Sequence, residues 1–384
     1  MQSTAGIMGR IIISLSGTTL LDAEKELIAH PNVAGIILFA QNYQINGRKL
    51  LLQLIAAIQK AAIDAGKLSG IPIFADQEGG FVQRIGKGSV QPIPANYVLG
   101  LGYDINAEYG MQLSKKVGWL MAEELGKFGI ISLSPVLDLQ LGNTIIEGLG
   151  RSFHKDPEIC YKLAEAYIDG MQAAGMQATG KHYPGHGLDI GDSHVTSPTD
   201  GRTLSELEEG ELFPFIQLIK SNKLAAIMPS HITYPNIDAD NIAGMSQIWI
   251  NDLLRNKYGF KGVIISDCLT MAGAGNYSDV DKIKNTLKYL DVALLCHKTV
   301  DEYLAIFNEL GSEYYMNTEQ KAAFNHWISP SITTRLNLCN GFNPEMNNLL
   351  VTACNTSSAT TTYYQANGVA DPQTQLDPQK MHLR

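Results

Sequence analysis

The chain has 384 residues, a formal net charge of −9 and no block of Lys or Arg. Hydrophobic residues make up 45% and charged residues 17%, which excludes a disordered, collagen-like or coiled-coil chain. So acidic a chain is a poor match for nucleic acid or an anionic membrane, and neither is expected as a partner.

The five cysteines, at 160, 268, 296, 339 and 354, form no CxxC pair. Such a scattered odd set reads as reduced thiols in a cytoplasmic setting, not as a disulfide framework or zinc knuckle. No apolar run approaches the roughly 18 residues of a membrane span. The apolar run after Arg10 breaks at Ser14-Leu15-Ser16-Gly17, too soon for a signal peptide, and reads as a first strand.

In chain order, that strand covers 10–15 and a second covers 35–40. A helix follows at 50–65, with apolar residues at helical spacing and Gly66 as its stop. The third strand is 71–75, a long amphipathic helix spans 106–128, and the fourth strand is 129–134. A helix at 157–172 starts with Asp156 as N-cap and Pro157 in the first turn. The fifth strand is 176–181, followed by a helix at 204–219 and the sixth strand at 224–229. A helix at 247–258, a strand at 262–266, a helix at 280–290 and a strand at 291–296 complete eight strands, and one more helix spans 300–310. The strands are mostly continuous apolar runs, as parallel strands covered on both faces require. Strand–helix alternation with eight strands predicts an α/β fold, a single closed (β/α)8 barrel over 8–315. A doubly wound sheet is the alternative, but no GxGxxG follows the first strand. A helical extension is expected over 316–340, with a helix at 318–328, and a polar, partly disordered tail over 341–384.

A barrel of this kind builds its active site at the carboxyl ends of its strands. Asp76-Gln77-Glu78-Gly79-Gly80 follows the third strand. The fifth leads into Lys181-His182-Tyr183-Pro184-Gly185-His186-Gly187 and then Asp192-Ser193-His194. Ser230-His231 follows the sixth, Ser266-Asp267 ends the seventh and Cys296-His297 follows the eighth. This clustering of histidines and carboxylates suits two chemistries. Metal-assisted hydrolysis would draw on His182, His186, Asp189, Asp192, His194, His231 and Asp267. Pro184 and its flanking glycines, however, break any helix that would align His182 with His186. Glycoside hydrolysis needs a carboxylate on one side of an anomeric carbon and a proton donor on the other. Asp267 suits the first role. Asp192 and His194, two residues apart on a glycine-bearing loop, suit the second if the loop turns to pair them.

With these residues in place, the chain resembles glycoside hydrolase family 3, in particular single-domain bacterial β-N-acetylhexosaminidases of the NagZ type. The resemblance covers residues 8–312. It rests on Gly17-Thr18-Thr19-Leu20, His30-Pro31-Asn32-Val33, Asp76-Gln77-Glu78-Gly79-Gly80, Ser134-Pro135-Val136-Leu137-Asp138 and Gly150-Arg151-Ser152-Phe153. The 181–187 block with Asp192-Ser193-His194, Pro229-Ser230-His231 and Ser266-Asp267-Cys268-Leu269-Thr270-Met271 complete it. It implies a retaining mechanism with Asp267 as nucleophile and His194, paired with Asp192, as acid/base. It implies that Asp76, Arg84, Arg151, Lys181 and His182 bind the N-acetylglucosamine, with no cofactor or metal. His186, His231 and Met271 are candidate lining residues. The implied substrate is β-linked GlcNAc on 1,6-anhydro-N-acetylmuramic acid, with or without peptide, in cytoplasmic peptidoglycan recycling by a monomer. Three positions depart from the family pattern: Phe81 where Arg is usual, Gln41 where Arg is common, and Cys268 where a second Asp follows the nucleophile.

Two further readings stay open: a phosphorylase on the same fold, and a sugar-binding protein with an idle barrel. Glu78 is expected to bond backbone amides near Gly79-Gly80, Asp138 to be structural, and His186 to shape its loop. Gly187 and Gly191 are expected to act as hinges around Asp192–His194.

Overall fold

Eight parallel strands form in the computed structural model, which describes residues 8–329 except Asn46, Leu68, Lys87, Asp189, Ser312 and Glu313. They are Ile11–Ser14, Val33–Leu38, Ile73–Ala75, Ile130–Ser132, Ala178–Tyr183, Leu224–Pro229, Val263–Cys268 and Val292–Leu295. From the fourth strand the sheet order runs backwards through the third and second to the first, then through the eighth, seventh and sixth to the fifth. The ends of this sheet meet. Thr179 donates to the Ser134 carbonyl at 2.8 Å, Lys181 to Pro135 at 3.2 Å and Leu137 to Lys181 at 2.6 Å. These bonds close the (β/α)8 barrel.

Two-residue alternation explains why the strands are apolar on both faces. Ile12, Ile37, Phe74, Ile131, Met228, Ile265 and Leu294 belong to one buried cluster inside the barrel. Their neighbours Ile11, Ile13, Ile36, Ile73, Ile130, Ile227, Ile264 and Leu295 belong to a second cluster, packed under the helices.

The predicted helices form with shifted ends at Arg48–Asp64, Ala107–Gly126, Pro157–Ala173 and Asp279–Leu287, and with the expected bounds at Val300–Leu310. Asp156 caps its helix by accepting from the N–H groups of Glu158 and Ile159. The helix expected at 204–219 is two, Leu204–Glu209 and Leu212–Lys220, interrupted at Gly210. Ile248–Lys257 is wound as a π-helix. Two further helices, Asp22–Ala29 and Asn96–Ile105, were not anticipated. The second lacks a side-chain cap and has only ten residues, which gives the sequence little periodicity to read.

The expected C-terminal helix is present at Thr318–Ile328. It is no appendage. Phe324, Trp327 and Ile328 join the interior cluster, Trp327 stacks on Phe74 at 4.8 Å between centroids, and its Nε1–H donates to Thr179 Oγ1 at 3.1 Å. Because Trp327 also borders Ile130, Met176 and Gln177, the helix plugs the amino end of the barrel, opposite the site. The polar tail expected over 341–384 lies outside the described residues. No described helix is long and apolar enough to cross a membrane.

Candidate active site

At the carboxyl end of the third strand, the Gln77 side chain holds both the N–H and the carbonyl of Ile85, at 3.1 and 2.9 Å. That bracket turns Asp76 and Glu78 over the barrel mouth. Glu78 is buried and does not serve backbone amides, contrary to expectation. It accepts Nε and Nη2 of Arg151 at 2.7 and 2.9 Å, and Nζ of Lys181 at 2.6 Å. Lys181 Nζ reaches Asp76 Oδ1 as well, at 2.8 Å. The four formal charges therefore cancel, which a buried cluster requires. Burial works to raise the Glu78 pKa, but the fields and hydrogen bonds of Arg151 and Lys181 prevail and hold it below the usual carboxylate range. Asp76 remains part-exposed and can accept a ligand hydroxyl. Arg84 sits beside this group, its guanidinium 6.0 Å from the centre of the Phe39 ring and its Nε buried without a partner.

His182, the last residue but one of the fifth strand, is buried against Asp138. Its Nδ1 lies 2.6 Å from Asp138 Oδ2, and its backbone N–H donates to Oδ1 at 3.0 Å. Asp138, expected to be only structural, therefore fixes the histidine's tautomer and leaves Nε2 to face the site. His186 packs edge-on to His182 at 5.7 Å between ring centres and bonds Ser193 Oγ at 2.9 Å. Burial, then the charge of His182, pushes the His186 pKa down to about 4.

The expected Asp192–His194 pair is formed. Asp192 Oδ1 accepts from the His194 backbone N–H at 2.9 Å and lies 2.7 Å from Nδ1. This is an Asx turn in which one carboxylate oxygen orders both the loop and the imidazole, so the pairing is encoded locally. Over half of the His194 side-chain surface, 55%, is open to solvent. The loop is docked on the segment after the seventh strand, with Ala272 N–H donating to the His194 carbonyl at 3.2 Å and Gly273 N–H to Ser193 at 2.8 Å.

Asp267 is the last residue but one of the seventh strand, with one carboxylate oxygen accepting from the Cys268 N–H at 2.7 Å. Burial would raise its pKa; the imidazoles of His182, His231 and His194 and the Cys268 N–H bring it below the ordinary value. An ionised carboxylate thus faces three imidazoles. His231 is buried, with Nε2 3.1 Å from the Cys268 carbonyl and Nδ1 without a partner. Met271 is buried in the interior cluster, and Cys268 Sγ lies 3.1 Å from Thr270 Oγ1. Phe81, on the hairpin after the third strand, is 41% exposed. Cys296 is buried, and His297 packs on Phe39 at 4.5 Å, both as barrel-end packing.

Gly187 is not the hinge that its loop position suggests. Its N–H donates to Glu211 Oε1, its carbonyl accepts from Asn143 N–H at 3.1 Å, and a Cβ there would lie 2.1 Å from the Leu139 carbonyl oxygen. Glycine is needed here for close approach. Gly191, with φ of +108°, keeps the left-handed backbone that a pivot can use. Asn143, Ser193 and Glu211 are the contributors that sequence reading missed. Ser193 stood between two predicted residues, but nothing marked Asn143 or Glu211. Among the described residues, no three His, Cys, Asp or Glu side chains gather so as to hold a metal ion, and Asp189 lies outside them.

The model of the glycosyl hydrolase family 3 N-terminal domain matches residues 11–322. A curated β-hexosaminidase of Tolumonas auensis is 44% identical over 268 residues, 70% of this chain and 76% of that protein. One of Neisseria meningitidis is 40% identical over 301 residues, 77% and 80% of the two chains. Among solved structures, NagZ of Neisseria gonorrhoeae in complex with N-trifluoroacetyl-D-glucosamine aligns with a TM-score of 0.74 at 32% identity, covering 87% of this chain and 98% of that one.

Proposed function

The chain belongs to glycosyl hydrolase family 3 and acts as a β-hexosaminidase, and from that premise we propose a retaining, exo-acting β-N-acetylglucosaminidase mechanism built on Asp267 and the Asp192–His194 pair. The observation that carries this reading is a part-exposed carboxylate at the carboxyl end of a strand, beneath a loop whose histidine is already paired to an aspartate. Asp267 attacks the anomeric carbon as the glycosidic C–O bond breaks, forming a covalent glycosyl-enzyme. His194 gives its Nε2 proton to the leaving oxygen, and Asp192 at Nδ1 stabilises the resulting tautomer. In the second half, His194 takes a proton from water, the water oxygen bonds to the anomeric carbon, and Asp267 leaves.

The Asp76–Lys181–Glu78–Arg151 cluster supplies fixed donors and acceptors for sugar hydroxyls, with Arg84 and His182 at its sides. A terminal β-linked GlcNAc fits such a polar end-wall. We assign the natural substrate as GlcNAc on anhydro-N-acetylmuramic acid, with or without peptide, in cytoplasmic peptidoglycan recycling. One observation favours a second reading as a phosphorylase: the acid/base group is a histidine. When neutral, it repels an anionic phosphate acceptor less than a carboxylate would.

The test is hydrolysis of 4-nitrophenyl β-N-acetylglucosaminide followed by NMR of the first-formed anomer, with and without phosphate and EDTA. Net retention, resistance to EDTA, and loss of turnover in Asp267→Ala and His194→Ala support the assignment. Inversion at the anomeric carbon would sink it, and a sugar 1-phosphate as main product would establish the phosphorylase.

A further inference from the structure

We propose that Asn143, His186 and Ser193 form a positioning latch that holds the acid/base loop of residues 192–196 over Asp267; this rests on the proton-transfer role given above to His194. The loop carries a contrast that its sequence does not explain. Asp192 and His194 have side chains 30% and 55% exposed, yet Ser193 between them is only 1% exposed. Ser193 is drawn inward from two sides. Its Oγ meets His186 Nε2 at 2.9 Å, and its carbonyl accepts from Gly273 N–H at 2.8 Å. With its middle residue fixed inward, the flanking Asp192 and His194 turn outward to the barrel mouth.

Hydrogen-bond bookkeeping fixes the direction of the chain. Asn143 Oδ1 already accepts from Ile145 and Ile146 N–H at 3.0 and 3.2 Å, so its amide nitrogen is the atom turned to the loop. That nitrogen donates to the carbonyls of Leu188 and Gly191 at 3.0 and 3.3 Å and faces His186 Nδ1 at 3.5 Å. Both amide hydrogens are taken by those carbonyls and an amide nitrogen cannot accept, so neither side of the Asn143–Nδ1 contact calls for a proton there; we assign the single proton of a neutral His186 to Nε2, donated to Ser193 Oγ. The opposite side has no slack. A Cβ at Gly273 would lie 2.9 Å from His231 Cβ and 3.0 Å from the Ser193 carbonyl oxygen. The latch acts through the loop, not on the reacting atoms. Its effect is on where His194 stands when the leaving oxygen needs a proton.

Leaving-group chemistry separates positioning from general structural support. A sugar leaving group needs the proton; 2,4-dinitrophenolate hardly does. The experiment compares kcat/KM on chitobiose and on 2,4-dinitrophenyl β-N-acetylglucosaminide for wild type, Ser193→Ala, His186→Gln, His186→Phe and His194→Ala, with thermal unfolding of each. Expected for Ser193→Ala is a loss of about tenfold or more on chitobiose and less than about twofold on the dinitrophenyl glycoside, and for His186→Phe a loss on chitobiose at least as large. His186→Gln, whose amide N–H can replace Nε2–H, recovers most of the loss. Equal losses on both substrates, or none, overturn the latch. If His194→Ala discriminates between the substrates and Ser193→Ala does not, the latch alone fails. If His194→Ala does not discriminate either, the acid/base assignment fails and the latch falls with it.

Discussion

Asp138 grips His182 twice, through the backbone N–H at 3.0 Å and through Nδ1 at 2.6 Å. The molecule thus holds two Asp–His pairs around Asp267, one buried and rigid, one exposed on a loop. The buried pair fixes the orientation of His182, whose imidazole heads the charge effects that lower the Asp267 pKa. Asp138→Asn keeps the shape but removes the charge. We expect kcat/KM on 4-nitrophenyl β-N-acetylglucosaminide to fall about 10- to 100-fold, as for other carboxylates that orient a histidine. A change of less than about twofold would show that His182 is oriented without Asp138.

Glu78 neutralises two buried cations, so Glu78→Gln leaves Lys181 and Arg151 sharing only Asp76. Removing one partner of such a buried cluster costs about 3–5 kcal/mol. A fall in the denaturation midpoint together with a raised KM is the expected outcome. The sign with pH follows from the depressed Glu78 pKa. Its contribution is complete above the unfolded value near 4.5 and is lost as pH falls below it. Urea titrations of wild type and variant should therefore show the gap narrowing by only about 1 kcal/mol between pH 7 and pH 4, and further at pH 3.

His186 is buried neutral, with a folded pKa of about 4 against 6.5 for the free group. Between those values the unfolded chain binds the extra proton, so stability declines as pH falls from 6.5 towards 4, by at most ~3 kcal/mol from this residue. His186→Gln has no proton to gain. Its melting temperature should fall less steeply across that window, and parallel slopes for the two proteins would refute the assignment.

Trp327 fills the amino end of the barrel from the C-terminal helix, fully buried between Phe74 and Phe324. Trp327→Ala should destabilise the fold by about 3–5 kcal/mol. Because the site lies at the other end of the strands, kcat at 15 °C should stay within about twofold of wild type. Calorimetry with a steady-state assay checks both.

How far the sequence could be read depended on where each partner lay along the chain. All eight strands were legible, because a parallel strand covered on both faces must be a continuous apolar run. The Asp192–His194 pair was legible, because an Asx turn joins residues two apart. Asp267 and the Asp76, Lys181 and His182 positions were legible as strand ends. The interruption at Gly210 was not, since the amphipathic pattern runs across it.

What the sequence determined by itself was the barrel, the end of it that carries chemistry, and the residue types gathered there. Only the tertiary structure decided how those residues are paired. Glu78 meets Arg151 73 positions away, and Asp138 meets His182 44 positions away. Asn143 and Glu211 reach the loop around His186 from distant segments, and Trp327 seals a barrel whose strands end well before it. The physical reason is that a buried charge or amide takes whichever partner the closed barrel brings within about 3 Å. Local spacing carries no record of that meeting.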